Sequence, residues 1–170
     1  MIEAAIFLIF PLCLAAAALT DLFTMTIPNR IPAILLASFL VIAPFSGMDW
    51  PTIGMSAAAA FAVFAVCFAL FAINVMGGGD AKLLTAASIW FGYHASLIYF
   101  LGAVSVIGGI VTLVIVILRT QADTVMAMGL PLPHSLTVAK KIPYGVAIGI
   151  GGFLTYDQAP ILLIAMRGLH

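Results

Sequence analysis

The sequence predicts an all-α integral membrane protein, a polytopic bundle of about six transmembrane helices. Hydrophobic residues make up 65% of its 170 residues, charged residues only 7%, and the mean hydropathy is +1.28. A soluble domain carries about a quarter charged residues, so this composition suits lipid and not water. Apolar runs near the ~20 residues that cross a bilayer as a helix recur along the chain. We therefore expect residues 1–170 to form a single transmembrane domain.

Three apolar runs occupy the N-terminal half. The first begins without Lys or Arg and carries Glu3, so we predict a retained helix and not a cleaved secretory signal. Pro28 and Asn29 are typical of a segment that stops one helix and starts the next. The predicted spans are Ile2 to Thr20, Ile31 to Phe45 and Ile53 to Val75.

The next apolar run, Ala81 to Leu118, is too long for one crossing and barely long enough for two. It must therefore bend. Glycine and polar residues place the bend near Gly92-Tyr93-His94 or as late as Gly102. The run then supplies the fourth and fifth spans.

A polar loop, Arg119 to Lys141, precedes the last span. The sixth span is predicted from Ile142 to about Tyr156. Polar residues follow it, and the sequence leaves open whether the apolar tail from Ile161 to Met166 completes the span or lies in the membrane interface.

Basic residues predict the orientation, because short cytoplasmic loops are enriched in Lys and Arg. With six crossings, the loops after spans 1, 3 and 5 share one face, whereas the opposite face holds only Arg167. This asymmetry predicts that both chain termini lie outside and that the shared face is cytoplasmic. The basic residues on that face are Arg30, Lys82, Arg119, Lys140 and Lys141.

Composition also limits the partners. The net charge is zero, which gives no reason to expect nucleic acid. Cys13 and Cys67 lie far apart inside apolar runs and indicate buried small side chains, without a disulfide framework or zinc site. The three histidines show no metal-ligand spacing. We expect no metal and no cofactor.

Two carboxylates stand out. Asp21 ends the first apolar run and Asp80 follows the third, so the predicted topology puts both at the cytoplasmic face. Two neighbouring carboxyl groups cannot both ionise easily; one keeps a proton to donate to a carbonyl while the other activates water. This pattern points to aspartyl peptide hydrolysis. The glycines before Asp80 would let an extended substrate backbone approach closely; they are Gly77, Gly78 and Gly79.

Other interpretations stay open. In one alternative, Asp80 simply caps a helix after the glycines and Asp21 marks a membrane boundary. Intramembrane acids also form proton relays in small transporters and channels, and a non-catalytic assembly subunit would tolerate loss of either acid. The other aspartates fall in loops or at span ends, where solvated carboxylates are ordinary: Asp49, Asp123 and Asp157.

Two weaker patterns concern packing. Lys82, two residues after Asp80, either tunes the charge of that carboxylate or anchors its helix at the headgroups, and anchoring is favoured. The small residues of Gly102 to Gly109 and of Gly145 to Gly152 predict close helix contacts.

Three separated motifs resemble those of one enzyme family. Met76-Gly77-Gly78-Gly79-Asp80-Ala81-Lys82 resembles the Gly-x-Gly-Asp motif of membrane-embedded aspartyl proteases. Asp21 followed by Ile27-Pro28-Asn29, and Lys141-Ile142-Pro143-Tyr144-Gly145-Val146-Ala147, resemble the other signatures of the bacterial type IV prepilin peptidases. The family often has Phe-Gly-Pro where this chain has Tyr144-Gly145-Val146.

The resemblance is greatest to the short form that serves tight-adherence (Flp-type) pilus systems. It implies that the chain cleaves the leader of a pilin precursor at the cytoplasmic face of the bacterial inner membrane, with Asp21 and Asp80 as the catalytic pair. Gly77 to Gly79, Lys82, Pro28 and Asn29 would support the site. Its partners would be the Flp-type prepilin, related pseudopilins, the lipid bilayer and other pilus-assembly proteins. Longer relatives carry a cytoplasmic region with two Cys-x-x-Cys pairs and also methylate the product, and no segment here matches that region.

Overall fold

A computed structural model describes residues 2–121 and 142–167, and these residues form a helical bundle. Most of the predicted polar loop between residues 119 and 141, including Asp123, Lys140 and Lys141, lies outside them. Two single 3₁₀ turns, Ala43–Phe45 and Tyr156–Gln158, extend the helices that end at Ile42 and Thr155. The helices are α1 Ile2–Thr24, α2 Arg30–Ile42, α3 Trp50–Ala72, α4 Gly78–Phe91, α5 Ala95–Thr120, α6 Tyr144–Thr155 and α7 Pro160–Arg167.

The structure confirms the predicted fold class, an all-α membrane bundle. Three helices, α1, α3 and α5, are long and apolar enough to cross a membrane, and α6 with α7 makes a fourth candidate bent by 44°. The helix Arg30–Phe45 is shorter, and α4 has 14 residues. At about 1.5 Å per residue, α4 is shorter than the ~30 Å hydrocarbon layer. The six-span count stays a prediction.

The bend predicted in the long apolar run lies at Gly92, which is the first of the two predicted positions. Gly92 adopts φ +62°, a left-handed conformation that favours glycine, and His94 caps the start of α5 through Nδ1. The first helix differs from its prediction: α1 continues past Thr20 to Thr24, so Asp21 belongs to its last turn and not to a polar loop.

The short helix α4 forms the centre of the bundle. Nine of its residues are buried, and it packs against α2, α3, α5, α6 and α7. Near its C-terminal end the indole of Trp90 donates a 3.1 Å hydrogen bond to the Leu35 carbonyl and lies against Phe10. Phe10 in turn stacks on Tyr156, whose hydroxyl donates to the Ile6 carbonyl. This aromatic cluster closes the bundle at the end opposite Asp80.

Candidate active site

Asp21 is held between two helices. Its side chain, only 5% exposed, points from the last turn of α1 to the first turn of α6, where the backbone N–H of Gly145 donates to its Oδ2 over 2.7 Å. The N-terminus of a helix carries unsatisfied N–H groups and the positive end of the dipole. The fold therefore brings the first turn of α6, 124 residues away along the chain, against Asp21, where it stabilises negative charge on the carboxylate.

Asp80 occupies a similar position on another helix. It lies in the first turn of α4, three residues after the N-cap Gly77, and it is half-buried. Its Oδ2 folds back over Gly77 so closely that a Cβ on that glycine would stand 2.6 Å from it. Asp80 thus also has its carboxylate at the positive end of a helix.

The two aspartates line one cavity of about 220 Å³. The predicted pair, 59 positions apart in the sequence, is therefore brought together at one end of the bundle. A water molecule occupies about 30 Å³ in the liquid, so this space holds several waters or a stretch of peptide. The other lining residues are Met25, Thr26, Ile27, Asn29, Gly77, Gly78, Gly79 and Ile142.

The glycines before Asp80 line this cavity, but they also fit the protein's own chain closely. A Cβ on Gly77 would meet Asp80, and a Cβ on Gly79 would lie 3.3 Å from the Cβ of Ile27. Gly78 lies under the ring of Phe71, at 3.2 Å from the position of an added Cβ. The absence of side chains at these positions therefore allows α4 to begin beside Ile27 and the acid to fold back.

The remaining predicted residues lie at the edge of the site. Lys82 donates a 3.0 Å hydrogen bond from Nζ to Oδ1 of Asn29, which links the second turn of α4 to the start of α2. The Pro28 carbonyl accepts from the N–H of Ile31 and so begins α2. Asn29 lines the cavity, whereas Pro28 and Lys82 do not.

Sequence reasoning missed two contributors. Gly145 was expected to make a close helix contact but not to bind an acid; its signal was the motif quoted around Pro143. An added Cβ there would stand 2.9 Å from both Cβ and Oδ2 of Asp21. Met25, which ends α1 and lines the cavity, adopts φ +53°, uncommon for a residue other than glycine, and nothing in the sequence indicated it.

Comparison with known proteins gives a family match. The family model described as the type IV leader peptidase family matches residues 8–113, a range that contains both aspartates and Gly77 to Gly79. No curated protein and no solved structure matches the chain significantly.

Proposed function

The chain belongs to the type IV leader peptidase family, and from this premise we propose that it is an aspartic endopeptidase that removes the leader peptide from Flp-type pilin precursors. We further propose that Asp21 and Asp80 are its catalytic pair and that they act at the cytoplasmic face of the bacterial inner membrane. Related pseudopilins are further candidate substrates.

The observation that carries this proposal is the position of the two carboxyl groups. Asp21 lies against the N-terminus of α6, Asp80 belongs to the first turn of α4, and both line one cavity. Two carboxyl groups in one cavity share protons unequally, which provides a base and an acid at the same pH.

The proposed mechanism depends on this unequal protonation of the two carboxyl groups. The ionised carboxylate takes a proton from a water molecule as the water oxygen attacks the scissile carbonyl carbon, and the protonated carboxyl group donates its proton to the carbonyl oxygen. When the tetrahedral intermediate collapses, the C–N bond breaks and the leaving nitrogen takes up the proton that came from water. The carboxylate that had donated its proton takes one back from a hydroxyl group of the intermediate as the new C=O bond forms. The products are an amine and a carboxylic acid that ionises in water, and the pair is ready for another cycle.

The far end of the bundle favours hydrolysis over proton transport. A proton relay needs polar groups that continue across the membrane. The packed cluster of Phe10, Phe39, Trp90 and Tyr156 lies toward the opposite end, whereas Asp21 and Asp80 line the same cavity. This arrangement supports a site that acts on a substrate at one membrane surface.

The test replaces each acid by its uncharged isostere. Asp21→Asn and Asp80→Asn retain size and most polarity but cannot exchange the proton, so we expect cleavage of a pilin precursor to fall by about 10²–10⁴-fold in each. Because both residues act as one unit, the double variant should be scarcely worse than either single variant. Cleavage is measured by mass spectrometry and N-terminal sequencing of the pilin.

Two other aspartates serve as matched controls. Asp49 caps α3, where it accepts hydrogen bonds from the hydroxyl and the N–H of Thr52, and these bonds lower its pKa below the ordinary value. Asparagine caps helices about as well. Asp157 is exposed in a 3₁₀ turn. Asp49→Asn and Asp157→Asn should keep near-normal cleavage, with membrane levels checked by immunoblot. Normal processing by either Asp21→Asn or Asp80→Asn would refute the paired mechanism.

A further inference from the structure

A second cavity, of about 300 Å³, opens between α2, α3 and α4. We call it the side groove. Its walls are mainly apolar and include Ala33 and Leu36 of α2 and Phe64 of α3. Leu36 is 42% and Phe64 is 40% exposed, and within the described residues α2 and α3 make almost no contact with each other. In a bundle of the membrane class, the side groove therefore opens toward lipid.

One end of the side groove is polar and positively charged. Lys82 and Asn29 line this end, joined by the 3.0 Å hydrogen bond from Nζ to Oδ1. Leu36 lies further along α2, about two turns or 10 Å from Asn29 at 1.5 Å per residue. The side groove thus runs from a cation at the start of α2 to apolar walls deeper in the bundle.

The charge of Lys82 is not neutralised by the acids nearby. Asp80 precedes it by two residues, so the two side chains leave α4 about 200° apart around the helix. Asp80 lines the acid cavity, as we call the space that it shares with Asp21, and Lys82 does not. In the part of the chain that the structure describes, Lys82 donates to the neutral Asn29 oxygen and forms no ion pair with a carboxylate. Arg30, the residue after Asn29, is exposed and adds a second cation at the start of α2.

We propose that the side groove binds an anionic phospholipid of the bilayer, with an acyl chain between α2 and α3 and the phosphate at Lys82. A phospholipid joins an apolar chain to a charged headgroup, as the side groove joins apolar walls to a cation. Basic pockets between transmembrane helices bind anionic headgroups. A zwitterionic headgroup also has a phosphate, but its own cation competes with Lys82. This binding requires only a membrane protein and is independent of the peptidase activity proposed above.

The first test compares two lipids that differ only in headgroup. The purified protein in detergent is titrated with phosphatidylglycerol or phosphatidylcholine of the same acyl chains, and native mass spectrometry measures the bound fraction. We expect the wild type to bind phosphatidylglycerol more tightly. Lys82→Gln should weaken that binding about fivefold, the contribution of one cation near a membrane surface, and leave phosphatidylcholine binding unchanged. Lys82→Arg should retain the preference, because it keeps the charge.

Arg167→Gln is the matched control for loss of a positive charge. Arg167 is an exposed cation at the end of α7 and does not line the side groove, so this variant should bind both lipids as the wild type does. Equal affinity of the wild type for the two lipids would overturn the proposal. An unchanged preference in Lys82→Gln, or the same loss in Arg167→Gln, would also overturn it and leave Lys82 as a link between α2 and α4. Glycerol phosphate, which lacks acyl chains, should not compete at the same concentration; competition would indicate a site for free phosphate instead.

A second test fills the apolar part and leaves Lys82 in place. Ala33→Trp puts a large ring in the wall of the side groove, and excluding a stretch of acyl chain should weaken phosphatidylglycerol binding about tenfold or more. Ile34→Trp is its control, because Ile34 is on the same helix and 51% exposed but does not line the groove. Equal binding by the two tryptophan variants would place the lipid elsewhere.

Photo-cross-linking locates the lipid directly. Phosphatidylglycerol with a diazirine in one acyl chain should label residues 29–36 or Phe64 in the wild type and in Ile34→Trp, but not in Ala33→Trp. Excess unlabelled phosphatidylglycerol should suppress this labelling, and phosphatidylcholine should suppress it less. Labelling that is the same in both tryptophan variants, or that neither lipid suppresses, would refute the side groove as the binding site.

Discussion

Single glycines decide the geometry of both acids. Gly145 places a backbone N–H 2.7 Å from Asp21, and Gly77 leaves room for the Asp80 carboxylate above the start of α4. In each case any side chain would occupy the space of a carboxyl oxygen. These two glycines therefore determine where the carboxyl groups lie, independently of any contact that they make with a substrate.

At this scale we predict the effect of one methyl group. Gly145→Ala puts a Cβ 2.9 Å from Oδ2 of Asp21 and about as close to Ile27, so the carboxylate has to shift. A displacement of about 1 Å can reduce catalysis about 100-fold. We expect a loss of that order in precursor cleavage, measured as kcat/KM in detergent.

Gly54→Ala is the control for glycine replacement itself. A Cβ at Gly54, in α3, meets nothing within 4 Å, so this variant should keep wild-type activity. Full activity in Gly145→Ala would show that the contact with Asp21 does not position the acid.

At the scale of elements, α6 packs tightly between α1 and α5. Gly149 and Gly152 pack against Leu14 of α1, and Gly151 packs against the backbone of Val104 of α5. Small residues let helices approach closely in membranes. Because α6 fits tightly between α1 and α5, its first turn is fixed over Asp21. The predicted close contacts are thus confirmed for these glycines.

Two neighbouring glycines of α5 give a contrast. A Cβ on Gly108 would stand 2.8 Å from the ring of Tyr144, the first residue of α6, whereas one on Gly109 meets nothing within 4 Å. Gly108→Ala should destabilise the protein by about 1–3 kcal/mol through overpacking. Gly109→Ala should stabilise it by about 0.5–1 kcal/mol, because alanine is the better helix former.

Thermal unfolding in one detergent measures both variants. The expected order of Tm is Gly109→Ala above the wild type and Gly108→Ala below it. Equal Tm values for the two variants would contradict the packing of Tyr144 on Gly108. Gly102 and Gly109 were also expected to make close helix contacts, and that expectation is wrong: both face open space.

At the scale of the whole molecule, the bundle has two different ends. The acid cavity, Arg30 and Lys82 lie at one end, and the aromatic cluster and the turn at Gly92 lie toward the other. The charge asymmetry of the loops predicts that the acid end faces the cytoplasm. The two ends therefore provide accessible positions for labelling.

We predict the orientation with two exposed positions. In a variant without Cys13 and Cys67, Tyr93→Cys lies in the turn between α4 and α5, and Gln121→Cys ends α5. An impermeant thiol reagent added to intact cells should label position 93 and leave position 121 unlabelled until the membrane is opened. Labelling of 121 in intact cells would reverse the orientation.

The sequence by itself determined the membrane class and the approximate helices, and it narrowed the bend in the long apolar run to two positions, of which Gly92 is the correct one. These properties depend on local composition: a run of apolar side chains must leave water wherever it lies, and a glycine with positive φ interrupts a helix without help from distant residues. The same local signals singled out Asp21 and Asp80 as carboxylates at the ends of apolar runs. They misplaced the end of α1 by one turn, because the polar Asp21 ends the apolar run without ending the helix: backbone hydrogen bonding continues to Met25, whose N–H donates to the Asp21 carbonyl.

Only the tertiary structure decided which groups meet. The hydrogen bond from Gly145 to Asp21, the link from Lys82 to Asn29 and the cavity shared by both acids join residues that are remote in the chain. The difference between Gly108, packed on Tyr144, and Gly109, facing open space, is one of about 100° around a helix. Both residues are glycines of the same helix, so their identity does not predict which one is packed. The direction from which the neighbouring helix approaches decides it.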